Sequence, residues 1–251
     1  MQTNNFNHII SILETATTDD MVIFDINNVI MTPCDKILRY CGHKYVSDCF
    51  SDTHTILGRL KYSELINQYR VKLVDLQIPQ TIRNLQQKGI RVCGITRIGG
   101  RYGVIRSMDS LVRQQLSELD IEFSDNNSDN NSDNNSDIIY LDKKELLYSD
   151  GIIYYGTYKK GDIIKYLIQN HLEFNKIKKI YLIDDYMYNI NDVSDACEQI
   201  GIDFVGIHYI EKSIFAETLS PSDIRWGEFQ IKWFDDTRIW LHHSIQNIVN
   251  F

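Results

Sequence analysis

Val22-Ile23-Phe24-Asp25-Ile26-Asn27-Asn28-Val29 is the stretch on which the reading of this chain turns. Residues 21–24 are apolar without alternation, as in a strand covered on both faces of a parallel sheet. The strand ends on the carboxylate of Asp25 and runs straight into amides, so an acid stands at its exit. Residues 90–96, 180–184 and 204–208 are built the same way: short, apolar, and ending on polar groups. Between these strands, apolar positions recur at helical spacing over 78–88, 104–119, 162–171 and 191–200, with Gly89 and Gly201 as stop signals after two of them. Strands alternating with helices predict an α/β fold, a Rossmann-like three-layer sandwich around a central, mainly parallel sheet.

Residues 32–75 interrupt the first crossover with helical patterns and no strong buried strand, which predicts a small helical cap inserted after the first strand and lying over the sheet's carboxyl edge. The core is then 1–31 and 76–251. Within it, residues 124–137 repeat Ser-Asp-Asn-Asn, and no side chain there can offset the entropy of ordering by burial, so a disordered acidic insertion is expected. Residues 138–141 and 151–155 are β-rich and read as a small hairpin or edge addition before the third crossover. The end of the chain, 211–251, reads as a helical tail packed on the core, with Trp233, Phe234, Trp240 and Leu241 as packing residues.

A chain of 251 residues with 43% hydrophobic content suits one α/β domain with an inserted subdomain better than two independent domains. No apolar run approaches the roughly 20 residues that span a membrane. The amino terminus lacks the basic start and apolar run of a secretory signal, and five scattered cysteines form no disulfide framework. A reducing compartment, the cytoplasm, is the expectation. The net charge of −8 argues against nucleic acid as a partner, although residues 88–113 carry six basic side chains against Asp109 alone. The composition leaves the oligomeric state open.

Four groups fall at the carboxyl ends of predicted strands or the starts of helices, where open α/β sheets place ligands. Asp25 is the first. Thr96 and Arg97 form the second, a hydroxyl and a guanidinium emerging together from an apolar strand and suited to binding a phosphate. Lys159 and Lys160, before Gly161, open a helix whose amino-terminal dipole also favours an anion. The fourth is the acid pair Asp184 and Asp185, ending the strand Tyr181-Leu182-Ile183. A carboxylate nucleophile, a hydroxyl, a lysine and paired acids for Mg²⁺ are the components of in-line phosphoryl transfer through an aspartyl-phosphate.

The order and spacing of these groups resemble the four motifs of the haloacid dehalogenase-like (HAD-like) superfamily over most of the chain. The resemblance implies that Asp25 is the nucleophile, that Thr96 binds phosphate, and that the motif lysine is Lys160, with Lys159 as the alternative. It further implies that Asp184 and Asp185 bind metal together with Asp25 and the backbone carbonyl of Asn27. More narrowly, Gly151-Ile152-Ile153-Tyr154-Tyr155-Gly156, Lys159-Lys160-Gly161 and Gly206-Ile207-His208-Tyr209 look like a little-characterised HAD-like family known mainly from intracellular bacteria. One departure stands out: the superfamily's phosphatases carry a second Asp two residues after the nucleophile, as general acid and base, and this chain has Asn27. Asn189 falls where relatives place a residue that orients the metal-binding acids. The resulting expectation is a Mg²⁺-dependent phosphatase of a phosphorylated small molecule, slowed at Asn27. The alternative is a catalytically inactive HAD-like protein that binds a phosphorylated ligand or a protein partner.

Overall fold

Alternate side chains of one strand enter two different hydrophobic cores, and this builds the layers. From β2 (Asp20–Asp25), Met21 and Ile23 join Cys93, Ile95, Ile153, Ile180 and Leu182, whereas Val22 and Phe24 join Val92, Ile152, Tyr154, Tyr181 and Ile183. The two-residue period of a strand sends neighbours to opposite faces, and here both faces are buried. The computed structural model describes residues 1–50, 55–97, 99–123, 139–141, 145–211 and 215–245. The repetitive segment 124–137 and residue 138 lie outside the described residues, as does the end of the tail at 246–251.

Helices α1 (Phe6–Leu13), α4 (Ile78–Gln87) and α5 (Met108–Ser117) cover one face through Ile9, Leu13, Ile82, Leu85, Val112 and Leu116. Helices α6 (Lys160–Asn170) and α7 (Met187–Ile200) cover the other through Ile164, Leu167, Val193 and Cys197. The chain is therefore an α/β three-layer sandwich of Rossmann-like form. The sheet contains β1 (Gln2–Thr3), β2, β5 (Arg91–Thr96), β6 (Ile139–Leu141), β7 (Glu145–Ser149), β8 (Ile152–Tyr154), β9 (Lys179–Asp184) and β10 (Asp203–Tyr209). Their spatial order is β1-β10-β9-β2-β5-β8-β7-β6, parallel from β1 to β8 and antiparallel beyond it.

Several expectations are corrected. β1 precedes β2 in the chain, so the cap follows the second strand. Residues 151–155 do not pair with 138–141: β8 is an inner parallel strand beside β5, and β7 stands between it and β6. Helix α5 starts at Met108 rather than at 104, because Ser107 caps it by accepting from the Ser110 backbone N–H at 3.3 Å. The residues ahead of it dock on the cap, where the Val104 backbone N–H donates to Ser63 Oγ at 2.9 Å.

The inserted segment is framed by a two-stranded antiparallel ribbon, β3 (Met31–Pro33) with β4 (Val71–Leu73), and carries α2 (His43–Cys49) and α3 (Ile56–Ile66). The tail helix α8 (Pro221–Thr237) begins with a capping box in which Ser220 and Asp223 satisfy each other's backbone N–H groups. Its buried Ile231 and Phe234, with Trp240, pack on Ile37, Phe50 and Leu65. The tail thus closes over the cap rather than over the core, its apolar face meeting apolar side chains of the cap. Trp233 remains 39% exposed and is not one of the packing residues.

Buried Asp35 fixes this junction: its carboxylate accepts from Gln230 Nε2 at 3.1 Å, Trp240 Nε1 at 2.9 Å and the His243 backbone N–H at 2.6 Å. Removing the acceptor leaves buried donors without partners, so Asp35→Ala should cost about 3 kcal/mol in urea unfolding. A loss below about 1 kcal/mol, the worth of an ordinary neutral hydrogen bond, would show that the tail is held by apolar packing alone.

Candidate active site

Strand register brings the chemistry together. Phe24 pairs with Ile183, which sets Asp25 beside Asp184, and Asp25 pairs with Ile95, one residue before Thr96. From β2 the chain moves outward to β5 and β8 on one side, then returns to β9 and β10 on the other, so Asp25 and Asp184 flank the switch point. Crevices at such points are where α/β sheets bind ligands.

The tight turn after β2 follows from its backbone bonds. The Ile30 and Met31 N–H groups both donate to the Ile26 carbonyl, at 3.1 and 3.0 Å, and Asn28 takes the left-handed conformation at φ 61°. Asparagine tolerates that region better than most residues. The turn presents Asn27 at the surface and aims Asn28 inward, where its Nδ2 donates to Asp185 Oδ2 at 3.2 Å.

At the start of α6, Gly161 is forced by packing. A Cβ there would lie 2.4 Å from the Asp192 carbonyl oxygen, so only glycine lets α6 press onto α7. The Gly161 N–H donates to Asp192 Oδ2 at 2.8 Å and fixes the approach. The same approach drives Lys160 inward. Its ammonium bonds both Asp25 Oδ1 and Asp184 Oδ2, the latter at 2.6 Å, and lies 5.2 Å from the centre of the Tyr155 ring. Lys159 points out, 60% exposed and 4.0 Å from Asp192.

Burial alone would lower the Lys160 pKa, but Asp25 and Asp184 outweigh it and hold the ammonium above its ordinary value. Burial pushes the Asp25 carboxyl upward; Lys160 pulls it back, while Asp184 and Asp185 push it further up. Asp185 is pushed up to about 6 by burial and then by Asp184, against the bond from Asn28. Three acids crowd one ammonium in a mostly buried place, and the net effect on Asp25 is to hold its carboxyl above the ordinary carboxylate range.

The two acids of the pair differ. Asp184 is fully buried and its oxygens are engaged, accepting from the Tyr186 N–H at 2.9 Å, from Asn189 Nδ2 at 3.0 and 3.2 Å, and from Lys160. Asp185 takes one side-chain bond, from Asn28. Asp25 keeps 11% of its side-chain surface exposed against 1% for Lys160 and none for Asp184, so Asp25 is the least enclosed group of this trio. A carboxyl that is not wholly enclosed, a second acid and the backbone carbonyl of Asn27 are oxygen donors of the kind a hard divalent cation takes, and such a cation keeps several waters. Among the described residues no three acidic, histidine or cysteine side chains close on a single point, so waters or a bound oxyanion would complete the coordination.

Asn27 Nδ2 approaches Thr96 Oγ1 at 3.4 Å, linking those two residues to each other. Arg97 is exposed at the rim, its Nε donating to the Gly156 carbonyl at 3.3 Å, and is not drawn to Asp25. The sequence reading missed Tyr155 over Lys160, Asn28 beneath Asp185, and His208, whose Nε2 lies 3.1 Å from the Asp185 carbonyl. Tyr155 was findable, since it follows a β-rich run at the same sheet edge as Asp25. A groove of about 610 Å³ between α1 and α4 shares no residue with this site.

A family profile matches residues 2–239. The chain belongs to the DUF2608 family, described as "Protein of unknown function". An uncharacterised protein of Rickettsia prowazekii (strain Madrid E) is 25% identical over 250 residues, covering 92% of this chain and 83% of the relative. No solved structure matches this DUF2608 chain.

Removing Lys160 would leave two buried carboxylates facing each other, which costs about 3–5 kcal/mol when one partner of a buried ion pair is lost. Lys160→Met should show that loss in chemical denaturation, whereas Lys159→Ala, on the surface, should stay within about 0.5 kcal/mol of the parent. Equal effects would mean that the two lysines do not differ as described.

Proposed function

We propose that this DUF2608 protein is a HAD-like hydrolase, a Mg²⁺-dependent phosphatase that acts on a phosphorylated small molecule through an aspartyl-phosphate on Asp25. The reading rests above all on the buried Lys160 ammonium bound to Asp25 and Asp184 at the sheet's switch point. An ion pair serving stability alone has no reason to stand at the ligand edge and leave one carboxylate open to it. The free thiols of Cys34, Cys41 and Cys197 agree with a cytoplasmic setting. No helix among the described residues is long and apolar enough to cross a membrane.

In this proposal an Asp25 oxygen attacks phosphorus in line as the ester oxygen departs. Lys160 and the Thr96 hydroxyl hold phosphoryl oxygens, and Lys160 draws the Asp25 carboxyl part of the way back toward the ionised form that attacks. Asp25, Asp185 and the Asn27 carbonyl would hold Mg²⁺, whereas Asp184, a further metal ligand by the sequence reading, has its oxygens engaged by Lys160, Asn189 and the Tyr186 N–H and would orient Lys160 instead; when bound, the ion supplies charge neutralisation at the phosphoryl oxygens. Asn27 can donate a hydrogen bond but cannot transfer a proton, which forfeits about 10²- to 10⁴-fold in rate. Turnover is therefore slow.

The alternative, an inactive binder of a phosphorylated ligand or protein partner, draws support from the same Asn27, whose amide approaches Thr96 where an acid would act. Hydrolysis of an aryl phosphate measured with and without Mg²⁺ separates the two. Weak, Mg²⁺-dependent activity is expected, with Asn27→Asp raising kcat on the order of 10²-fold and Asp25→Asn abolishing it. No hydrolysis by the parent or by Asn27→Asp, with Mg²⁺ binding shown by calorimetry, would favour the binder.

A further inference from the structure

Two features, one outside the phosphoryl site and one within it, point to the rest of the substrate. The first is a group of exposed side chains on the loops and the first helical turn that follow the sheet's carboxyl edge. Tyr158, 40% exposed, lies between β8 and α6, while Tyr186 and Tyr188, 63% and 55% exposed, follow Asp185 directly. The Tyr186 and Tyr188 rings lie 6.1 Å apart, and the Tyr186 backbone N–H donates to Asp184, so this pair is anchored on the acid cluster itself. Water-facing aromatic rings anchored next to the acid pair offer a stacking surface for a planar group. The second feature is Asn27, which cannot protonate a leaving oxygen. That deficiency is severe for an alkoxide, whose conjugate acid has a pKa near that of water at about 15.7, but slight for a phenolate at about 10.

We propose that the substrate is a small-molecule phosphomonoester of an aromatic hydroxyl group, with Tyr186 and Tyr188 stacking on its ring. This rests on the phosphatase reading above. In the first step the bond from Asp25 Oδ to phosphorus forms as the bond from phosphorus to the aryl oxygen breaks. The electron pair leaves on the phenolate, which takes a proton from solvent after departure. In the second step water attacks phosphorus, the Asp25–phosphorus bond breaks, and inorganic phosphate leaves. The attacking water gives its proton to bulk solvent, because Asn27 offers no base. The first step is fast and the second slow, so the aspartyl-phosphate accumulates.

Three probes with Mg²⁺ test this: phenyl phosphate has both the ring and the phenolate, benzyl phosphate has a ring on an alkoxide, and acetyl phosphate has a good leaving group and no ring. Phenyl phosphate should give a burst of phenol equal to the enzyme, and Asn27→Asp should remove the burst. Asn27→Asp should raise kcat/KM for benzyl phosphate on the order of 10²-fold more than for phenyl phosphate, since kcat/KM reports the first step. Tyr186→Ala and Tyr188→Ala should each lower kcat/KM for phenyl phosphate about tenfold relative to acetyl phosphate. Tyrosine variants that act equally on both, or a parent enzyme that prefers benzyl to phenyl phosphate, would overturn the aryl assignment and leave the phosphatase intact. Faster turnover of a phosphotyrosyl peptide than of free phosphotyrosine would overturn the small-molecule part. No turnover of any probe by the parent or by Asn27→Asp would remove the phosphatase reading and this inference with it.

Discussion

One buried ammonium organises the candidate site. Lys160 is almost wholly out of water and bonds two carboxylates that come from adjacent strands. A charge so placed persists only where its partners repay its desolvation, and the two acids persist only because it is there. The geometry that brings them together has remote causes. Gly161 lets α6 approach α7, β2 and β9 lie in a register that pairs Phe24 with Ile183, and Asn189 and the Tyr186 N–H hold Asp184 in orientation. Loosening any of these would move the ammonium and leave the acids to repel each other.

Much of this fold was legible because both faces of the inner strands are buried. An unbroken apolar run that ends on an acid, as at Asp25 and Asp184, marks both a parallel strand and its exit, so one signal served for architecture and site. What escaped reading lacked such a signal. The ribbon at the base of the cap has three residues in each strand, too few for a period to show. β7 was hidden beside the repetitive segment. For the tail, periodicity identifies an apolar face but not the surface that meets it, and Phe234 and Trp240 pack with Ile37 and Phe50 of the cap. Two adjacent lysines before a glycine are equivalent in sequence; helix α6 begins at the second, which turns Lys160 inward and leaves Lys159 in water.

Asn27 is the position at which the candidate site departs from the proposed phosphatase. Sites that bind a phosphoryl group and sites that hydrolyse one need the same cations and hydroxyls; they differ in the group that moves protons. An amide at that place preserves the backbone carbonyl and a hydrogen-bond donor while removing the proton transfer. In the proposed phosphatase this would favour ester bonds that break without assistance and a covalent intermediate that persists. The cap is tied to the strand that carries Thr96, since the chain after it docks on α3 through Val104 and through Tyr102, whose ring meets Tyr62 at 6.5 Å.

The most direct test of the central role given to Asp25 is chemical trapping of the intermediate. The protein is mixed with Mg²⁺ and an aryl phosphate, quenched and treated with borohydride, which reduces an aspartyl-phosphate to homoserine, and the peptide spanning residue 25 is sequenced by mass spectrometry. Homoserine at position 25, dependent on Mg²⁺ and absent from Asp25→Asn, is the expected result. Unmodified Asp25 in a protein that nevertheless releases phosphate, or reduction at another carboxylate, would contradict it.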